Sequence, residues 1–275
     1  MFKSRNKDKK ENRGLKIMQI GNSGGFDFQN VNSSFLITDL QETEYILFDC
    51  GYNVPDELIR LESENLIDLS KLKNIFISHQ HDDHFGGLVK LGLYLQEKYK
   101  TVLNIYLPFL SGPLNNMFDS LNYEYCDSGR YVKKSMRPDF HYGTIKEVIK
   151  FPNEIVGITS FPTKHICVDS FGLSVKCDED IIVFTSDTTA SKAMLKQLKS
   201  LSEFVLVHDH SPGEFTDVSV HATYDNMKNI YGSKFVSKLY FTHDSSLNRI
   251  TDVGVWKEVS KMKQVNLLDL EEGNV

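Results

Sequence analysis

Short apolar runs separated by turn residues fill most of the chain beyond residue 14. Residues 15–20 alternate in part and stop at Gly21-Asn22-Ser23-Gly24-Gly25, the pattern of a strand leading into a turn-rich loop. Runs 34–38, 45–51 and 74–78 are also of strand length. The spacing over 55–62, and through Leu88, Leu91, Leu95 and Tyr99, has the period of a helix. Further strands are expected at 102–107, 155–161, 171–175, 181–185, 204–207, 236–241 and 265–268. Helices are expected at 191–199, 221–231 and 253–262, the second closing at Gly232. Many strands with interspersed helices, and no internal repeat, predict two packed sheets with helices outside, a layered α/β fold. Residues 108–143 hold Pro, Gly, Asn and aromatic side chains with little period, and read as either a cap over a site or a surface excursion.

A chain of 275 residues can bury one large core without disulfides, and 40% hydrophobic with 25% charged residues argues against disorder and fibrous repeats. The net charge of −6 counts against a surface that tracks nucleic acid throughout, so any anion binding is local. No window offers the roughly 18 consecutive apolar residues that a membrane-spanning helix requires. The first 13 residues carry six basic and two acidic side chains with no apolar stretch behind them, so 1–14 is expected to be a flexible basic tail and not a secretory signal. Cys50, Cys126, Cys167 and Cys177 form no CxxC pair and lie in hydrophobic surroundings, which points to reduced core thiols and a cytoplasmic setting.

The chemistry concentrates after the run 74–78, in Ser78-His79-Gln80-His81-Asp82-Asp83-His84. A strand end followed by a tight turn can aim His79 and His81 to one side, because alternate residues share a face, while Asp83 and His84 open the next helix. Imidazole nitrogens with a carboxylate suit zinc, manganese or iron. His165, Asp187 and His243 each follow an apolar run, as His79 does, and ends of neighbouring strands meet in space. Five of the nine histidines then belong to one site, with Asp187 placed to bridge two cations. The loop 21–25 lacks the Lys and Ser/Thr of a phosphate cradle and reads as a flexible turn beside the site.

This pattern resembles the metallo-β-lactamase superfamily, whose HxHxDH motif is matched by His79, His81, Asp83 and His84. The third-motif histidine resembles His165, the bridging aspartate of the GDT-like motif resembles Asp187, and the final histidine resembles His243. Phe48-Asp49-Cys50-Gly51 is similar to the family's DCG strand end. The likeness runs from about Leu15 to Leu268 and implies a four-layer αββα sandwich: a single metallo-hydrolase domain over 15–275 with a cap-like insertion at about 108–150. It further implies two divalent cations, zinc first and manganese second. His79, His81 and His165 would hold one, Asp83, His84 and His243 the other, and Asp187 would bridge.

Histidine at position 81, where oxygen-reducing members carry Glu, favours hydrolysis. His208-Asp209 and His221-Ala222-Thr223 are similar to the motifs of the phosphodiesterase branch that includes the tRNA 3′-processing endonuclease. In that likeness Asp209 orients His221 and favours its protonated form, His221 is the general acid, a metal-bound hydroxide attacks, and Asp83 receives its proton. His208 and His210 read equally well as polar edge packing. Only 21 residues separate His165 from Asp187, too few for a tRNA-gripping arm. A small nucleotide phosphodiester fits better than a long nucleic acid. The nearest likeness is to compact cyclic-nucleotide phosphodiesterases of this branch, including phage anti-Pycsar enzymes, which suggests a 3′,5′-cyclic substrate and, on family grounds, a homodimer.

Arg130, Tyr131 and Lys133 belong to a basic, aromatic-interleaved stretch at 128–150 that could contact phosphate and base, or could be an ordinary solvated loop. Competing functions are hydrolysis of a lactone, lactam or thioester, a tRNA 3′-end endonuclease lacking its arm, and noncatalytic sequestering of a nucleotide.

Overall fold

The computed structural model describes residues 13–107, 146–152, 154–165, 168–211, 220–244, 246, 250–267 and 270, and the backbone of strands at 123–126, 130–133 and 139–142; side chains from 108 to 147 lie outside the described residues. In chain order the strands are β1 (Leu15–Gly21), β2 (Ser34–Asp39), β3 (Tyr45–Phe48), β4 (Leu72–Phe76), β5 (Asn104–Leu107), β6 (Tyr123–Cys126), β7 (Arg130–Lys133), β8 (Asp139–Tyr142), β9 (Lys146–Lys150), β10 (Ile155–Thr163), β11 (Ser170–Cys177), β12 (Asp180–Phe184), β13 (Val205–Asp209), β14 (Tyr240–Thr242) and β15 (Lys257–Glu258). The helices are α1 (Val54–Ser63), α2 (Asp82–Phe85), α3 (Leu88–Tyr99), α4 (Lys192–Lys196), α5 (Tyr224–Tyr231) and α6 (Ser233–Val236). One sheet has the order β15-β1-β2-β3-β4-β5-β8, the other β14-β13-β12-β11-β10-β9, and β6 pairs with β7 apart from both.

The four layers follow from strands that are apolar on both faces. Leu15, Ile17, Phe35, Ile37, Ile46, Phe48 and Phe76 point to the second sheet and meet Val156, Ile158, Leu173, Val175, Ile182, Phe184, Val205 and Val207. The residues between them, such as Met18, Leu36, Leu47 and Ile75, point the other way and pack on Leu58, Leu61, Leu91 and Leu95 of α1 and α3. On the far side, Val183 and Leu206 cover Met194, Leu195, Met227, Tyr231 and Phe235 of α4, α5 and α6. The result is helix, sheet, sheet, helix: the αββα sandwich of the metallo-β-lactamase type. Beneath the strand ends, Phe184 packs against Phe35 and Phe48 with ring centroids 4.9 Å away in each case, so the two sheets are locked at that end.

Several elements differ from the pattern-based expectation. The helix expected at 253–262 is instead the edge strand β15 followed by a 3-10 turn at Val259–Lys261. Gly254 adopts φ +82, outside the helical region, and Val259 and Met262 turn into the inter-sheet core. The strand expected at 236–241 begins only at Tyr240, because Ser233–Val236 forms a turn of helix that buries Phe235 and Val236. Of the strand expected at 265–268, the described residues contribute a single antiparallel bridge, Val265 to Phe204, and residue 268 lies outside the described residues. Strands β8 and β9, within the stretch expected as a cap, extend the edges of the two sheets. Residues 1–12 of the expected tail lie outside the described residues; Arg13 sits 3.6 Å from Asp178 and the amide of Leu15 donates to Asp180 at 2.8 Å. Among the described residues no helix is long and apolar enough to cross a membrane.

The helices flanking the HxHxDH turn are tied together by Glu62 of α1. It accepts hydrogen bonds from Tyr94 Oη at 2.7 Å, Lys98 Nζ at 2.8 Å, the Leu69 amide at 3.1 Å, and Tyr99 Oη. Burial alone would raise its pKa; the Lys98 and tyrosine donors outweigh burial and hold the carboxyl below its ordinary value. A lowered folded-state pKa means stability that is present above the unfolded value of about 4.3 and lost as pH falls through the folded value. Glu62→Ala is therefore expected to lower stability at pH 7 by about 2 kcal/mol, with the difference from the parent shrinking below about pH 4, as read by urea unfolding across pH.

Candidate metal centre

Strand sense brings the candidate residues to one edge. β12 pairs in parallel with β13, and β13 with β14, while two antiparallel steps through β11 give β10 the same direction. His165 after β10, Asp187 after β12, Asp209 at the end of β13 and His243 after β14 therefore share one rim. In the other sheet β1, β3 and β4 run alike, so the loop after β1, Asp49 after β3 and residues 79–84 after β4 form the facing rim. The rims are bonded to each other: Ser186 Oγ donates to Ser78 Oγ at 2.7 Å and the Phe171 amide to the Ser78 carbonyl at 3.2 Å.

The seven residues singled out as metal ligands converge there. His81 Nδ1 lies 3.0 Å from His79 Nε2 and 3.1 Å from His165 Nε2, and Asp187 Oδ2 is 3.7 Å from both of those Nε2 atoms. On the other side of Asp187, His84 Nε2 lies 3.2 Å from its Oδ1 and 3.4 Å from Asp83 Oδ2. His243 Nε2 is 3.1 Å from Asp83 Oδ2 and 3.5 Å from Asp187 Oδ2. Two donor sets capable of holding a cation result, His79-His81-His165-Asp187 and Asp83-His84-His243; a third grouping joins Asp187 and His243 to Asp209 and His221. Close approach of the loop after β1 needs glycine: a Cβ on Gly24 would lie 2.7 Å from the His243 ring, and one on Gly25 3.1 Å from the Asp83 carboxyl.

The charge pattern suits cations. Burial drives His79, His81 and His165 below the ordinary histidine pKa, leaving neutral rings with lone pairs that face one another. Burial also opposes ionisation of Asp83 and Asp187, but the surrounding imidazoles overcome it and keep both carboxyls well below their ordinary range. For His84 and His243 burial is again the largest single influence, but Asp187 together with Asp83 and the other neighbouring carboxylates outweighs it, lifting His243 to about 9 and His84 well above normal. His84 Nε2 is buried with no hydrogen-bond partner among the described residues, an orphan aimed at two carboxylates. A divalent cation between such groups fits this donor set.

Asp49 holds the arrangement from behind. Its Oδ1 accepts from the Ser78 amide at 2.7 Å, and its Oδ2 from Ser78 Oγ and His84 Nδ1, each at 2.8 Å. Asp49, Ser186 and His243 all adopt positive φ (59°, 54° and 69°), so three non-glycine residues at this rim sit in the left-handed region.

Beside the donor sets, His221 Nδ1 donates to Asp209 Oδ2 at 2.9 Å, and the Thr188 amide donates to the same oxygen at 2.9 Å. The short aspartate thus reaches the histidine. Burial lowers the His221 pKa, but the Asp209 hydrogen bond and charge outweigh it, and the ring is held above its ordinary value. His221 stacks on His243 with centroids 4.6 Å apart. His208 and His210 do not join them: His208 bonds the Asp209 carbonyl and Tyr231 Oη in the core, and His210 Nδ1 donates to Asp244 Oδ2 at 2.8 Å. The expected contacts of Arg130, Tyr131 and Lys133 concern side chains outside the described residues.

A cavity of about 760 Å³ opens over the site, its floor formed by His81, Asp83, His165, Asp187, His221 and His243. One wall, Gly25, Phe26, Phe28 and Tyr52, was not apparent from the sequence motifs. The only signal was a Phe-x-Phe behind two glycines in a loop with no other reason to be apolar.

A family model described as "Anti-Pycsar protein Apyc1" matches residues 15–257. The chain belongs to this family. The Apyc1 protein of Bacillus phage 010DV004 is 26% identical over 243 residues, covering 82% of this chain and 87% of the phage protein. Ribonuclease Z of Prochlorococcus marinus (strain NATL1A) is 30% identical over 156 residues, covering 55% of this chain; the match spans about half, 46%, of that relative's length. Among solved structures, the metallo-β-lactamase fold protein YhfI from Bacillus subtilis superposes with a TM-score of 0.60 at 18% identity, covering 83% of this chain and 86% of YhfI. The Apyc1-family match and the YhfI superposition agree with the layered fold described above.

Because Asp49 satisfies three donors at once, two of them on Oδ2, Asp49→Asn leaves at least one of them without an acceptor. It is expected to lower the stability of the metal-free protein by about 1–3 kcal/mol, measured by thermal unfolding in the presence of chelator.

Proposed function

We propose that this chain is a metal-dependent phosphodiesterase that carries two divalent cations and hydrolyses a small nucleotide phosphodiester, with a 3′,5′-cyclic nucleotide as the leading candidate. In this reading His79, His81 and His165 hold one cation, Asp83, His84 and His243 hold the other, and Asp187 serves both. Zinc suits this imidazole and carboxylate set, with manganese next. Bound there, the cations would acidify a water molecule and neutralise charge on the phosphodiester.

The observation that carries the proposal is the Asp209–His221 pair beside the two donor sets, with His221 on the cavity floor and Asp209 buried behind it. Asp209 occupies Nδ1, so Nε2 is the nitrogen left for the cavity, and the same carboxylate raises the ring's pKa above its ordinary value. A sugar oxygen is a poor leaving group and needs a proton as its bond to phosphorus breaks; in this reading the imidazolium of His221 would supply it. Asp83, whose carboxylate lines the cavity floor, would accept the proton lost by the attacking water. The Apyc1 relative and the ribonuclease Z relative both support phosphodiester chemistry. Residues 166–186 are taken up largely by the adjacent strands β11 and β12, which supports a small substrate over a tRNA. Homodimer formation and a cytoplasmic setting belong to the same proposal, supported by the family likeness and by the free, buried thiols Cys50 and Cys177.

Two measurements test it. Elemental analysis of the purified protein is expected to give about two divalent ions per chain, unchanged in His221→Ala. That substitution is expected to cost roughly 10²–10⁴-fold in kcat/KM on a cyclic nucleotide, but less than about tenfold on bis-p-nitrophenyl phosphate, whose leaving group departs without a proton. Equal losses on both substrates would reject His221 as the acid, and turnover confined to lactones, lactams or thioesters would reject the function.

A further inference from the structure

Phe26 and Phe28 are 84% and 78% exposed, more than any other large apolar residue described. Both line the cavity that holds His81, Asp83, Asp187 and His221, whereas Leu66, Val148, Ile155 and Val255, the other apolar residues most open to solvent, do not. The loop that carries them is held by its own polar groups. Gly24 carbonyl accepts from the Asp27 amide at 3.3 Å, Asp27 Oδ1 from the Gln29 amide at 3.1 Å, and Asp27 Oδ2 from Asn30 Nδ2 at 2.9 Å. The Asn30 carbonyl then accepts from Ser23 Oγ at 3.1 Å and from Asn53 Nδ2 at 2.9 Å, fastening the loop to the N-terminal end of α1. Asp27 is thus engaged with the loop, and its two aromatic neighbours line the cavity wall.

Two rings this exposed bury little of their apolar surface, and exposed apolar surface at a cavity mouth marks a ligand contact. The floor is rich in imidazole and carboxylate, suited to the phosphate end of a substrate through its cations, and the wall is apolar and aromatic. A ligand that matches both has an anionic end and a flat, polarisable end, the constitution of a nucleotide. Resting on the phosphodiesterase reading, we propose that Phe26 and Phe28 form a stacking platform for the base, so that this loop selects nucleotides over other phosphodiesters.

The metal-loaded full chain tests this with paired probes. In Phe26→Ala/Phe28→Ala, affinity for adenosine 5′-monophosphate by calorimetry is expected to fall about tenfold or more, while affinity for ribose 5-phosphate changes less than about threefold. The ratio of kcat/KM for 3′,5′-cyclic AMP to that for the same cyclic ribose phosphate without a base is expected to fall by a similar factor. Phe26→Tyr/Phe28→Tyr keeps the rings and is expected to retain the parent's preference. Unchanged nucleotide affinity, equal loss for both probes, or conversion of a dimer to a monomer in the alanine variant would overturn the platform, the last by assigning the rings to a second copy of the chain. Base-dependent binding without any phosphodiester turnover would sustain the platform and reject the phosphodiesterase reading.

Discussion

Asp187 is 2% exposed and has nitrogens of five histidines, His79, His84, His165, His221 and His243, within 3.8 Å. A lone carboxylate in that position would be driven to protonate, since burial of an uncompensated charge costs several kcal/mol or more. It stays ionised because the imidazoles surround it, and those imidazoles come from both sheets. The rest of the rim can be read as what this requirement imposes: His79 and His84 must arrive from the end of β4, His165 from β10, His243 from β14, and the two sheets must be held so that these ends meet.

The packing below meets that requirement. Phe184, three residues before Asp187, fills the space between Phe35 and Phe48, and Phe48 directly precedes Asp49. One aromatic cluster therefore sets the height of Asp187 on one sheet and of Asp49, the anchor of His84, on the other. The left-handed backbone at Asp49, Ser186 and His243 shows local strain held in place by that surrounding structure. Stability is invested in the layers and conformational strain is tolerated at the rim, the usual division where a rigid scaffold carries reactive groups.

Much of this was legible in the sequence because it depends on local rules. HxHxDH after an apolar run, and single His or Asp residues closing later runs, brought forward the seven residues that the structure gathers into the donor sets, whereas the Asp209–His221 pair was visible only through the resemblance to the phosphodiesterase branch. The alternation of strand-length runs with helical spacings pointed to the layers. What could not be read depends on long-range contact. Residues 253–262 have helical spacing, but Val259 and Met262 are claimed by the inter-sheet core and Gly254 breaks the run. The glycines of the loop after β1 suggested a flexible turn, and only their closeness to His243 and Asp83 shows why side chains are absent there. His208 and His210 had the right residue type near the right motif, yet Tyr231 and Asp244 engage them away from the cavity.

The central claim is that seven side chains from both sheets enclose a pair of cations with Asp187 between them. Anomalous diffraction from crystals of the zinc-loaded protein tests it most directly. Two peaks about 3.5–4 Å apart, flanking the Asp187 carboxylate and contacted by His79, His81 and His165 on one side and Asp83, His84 and His243 on the other, are the predicted result. A single peak, or zinc bound elsewhere with these side chains unengaged, would contradict it.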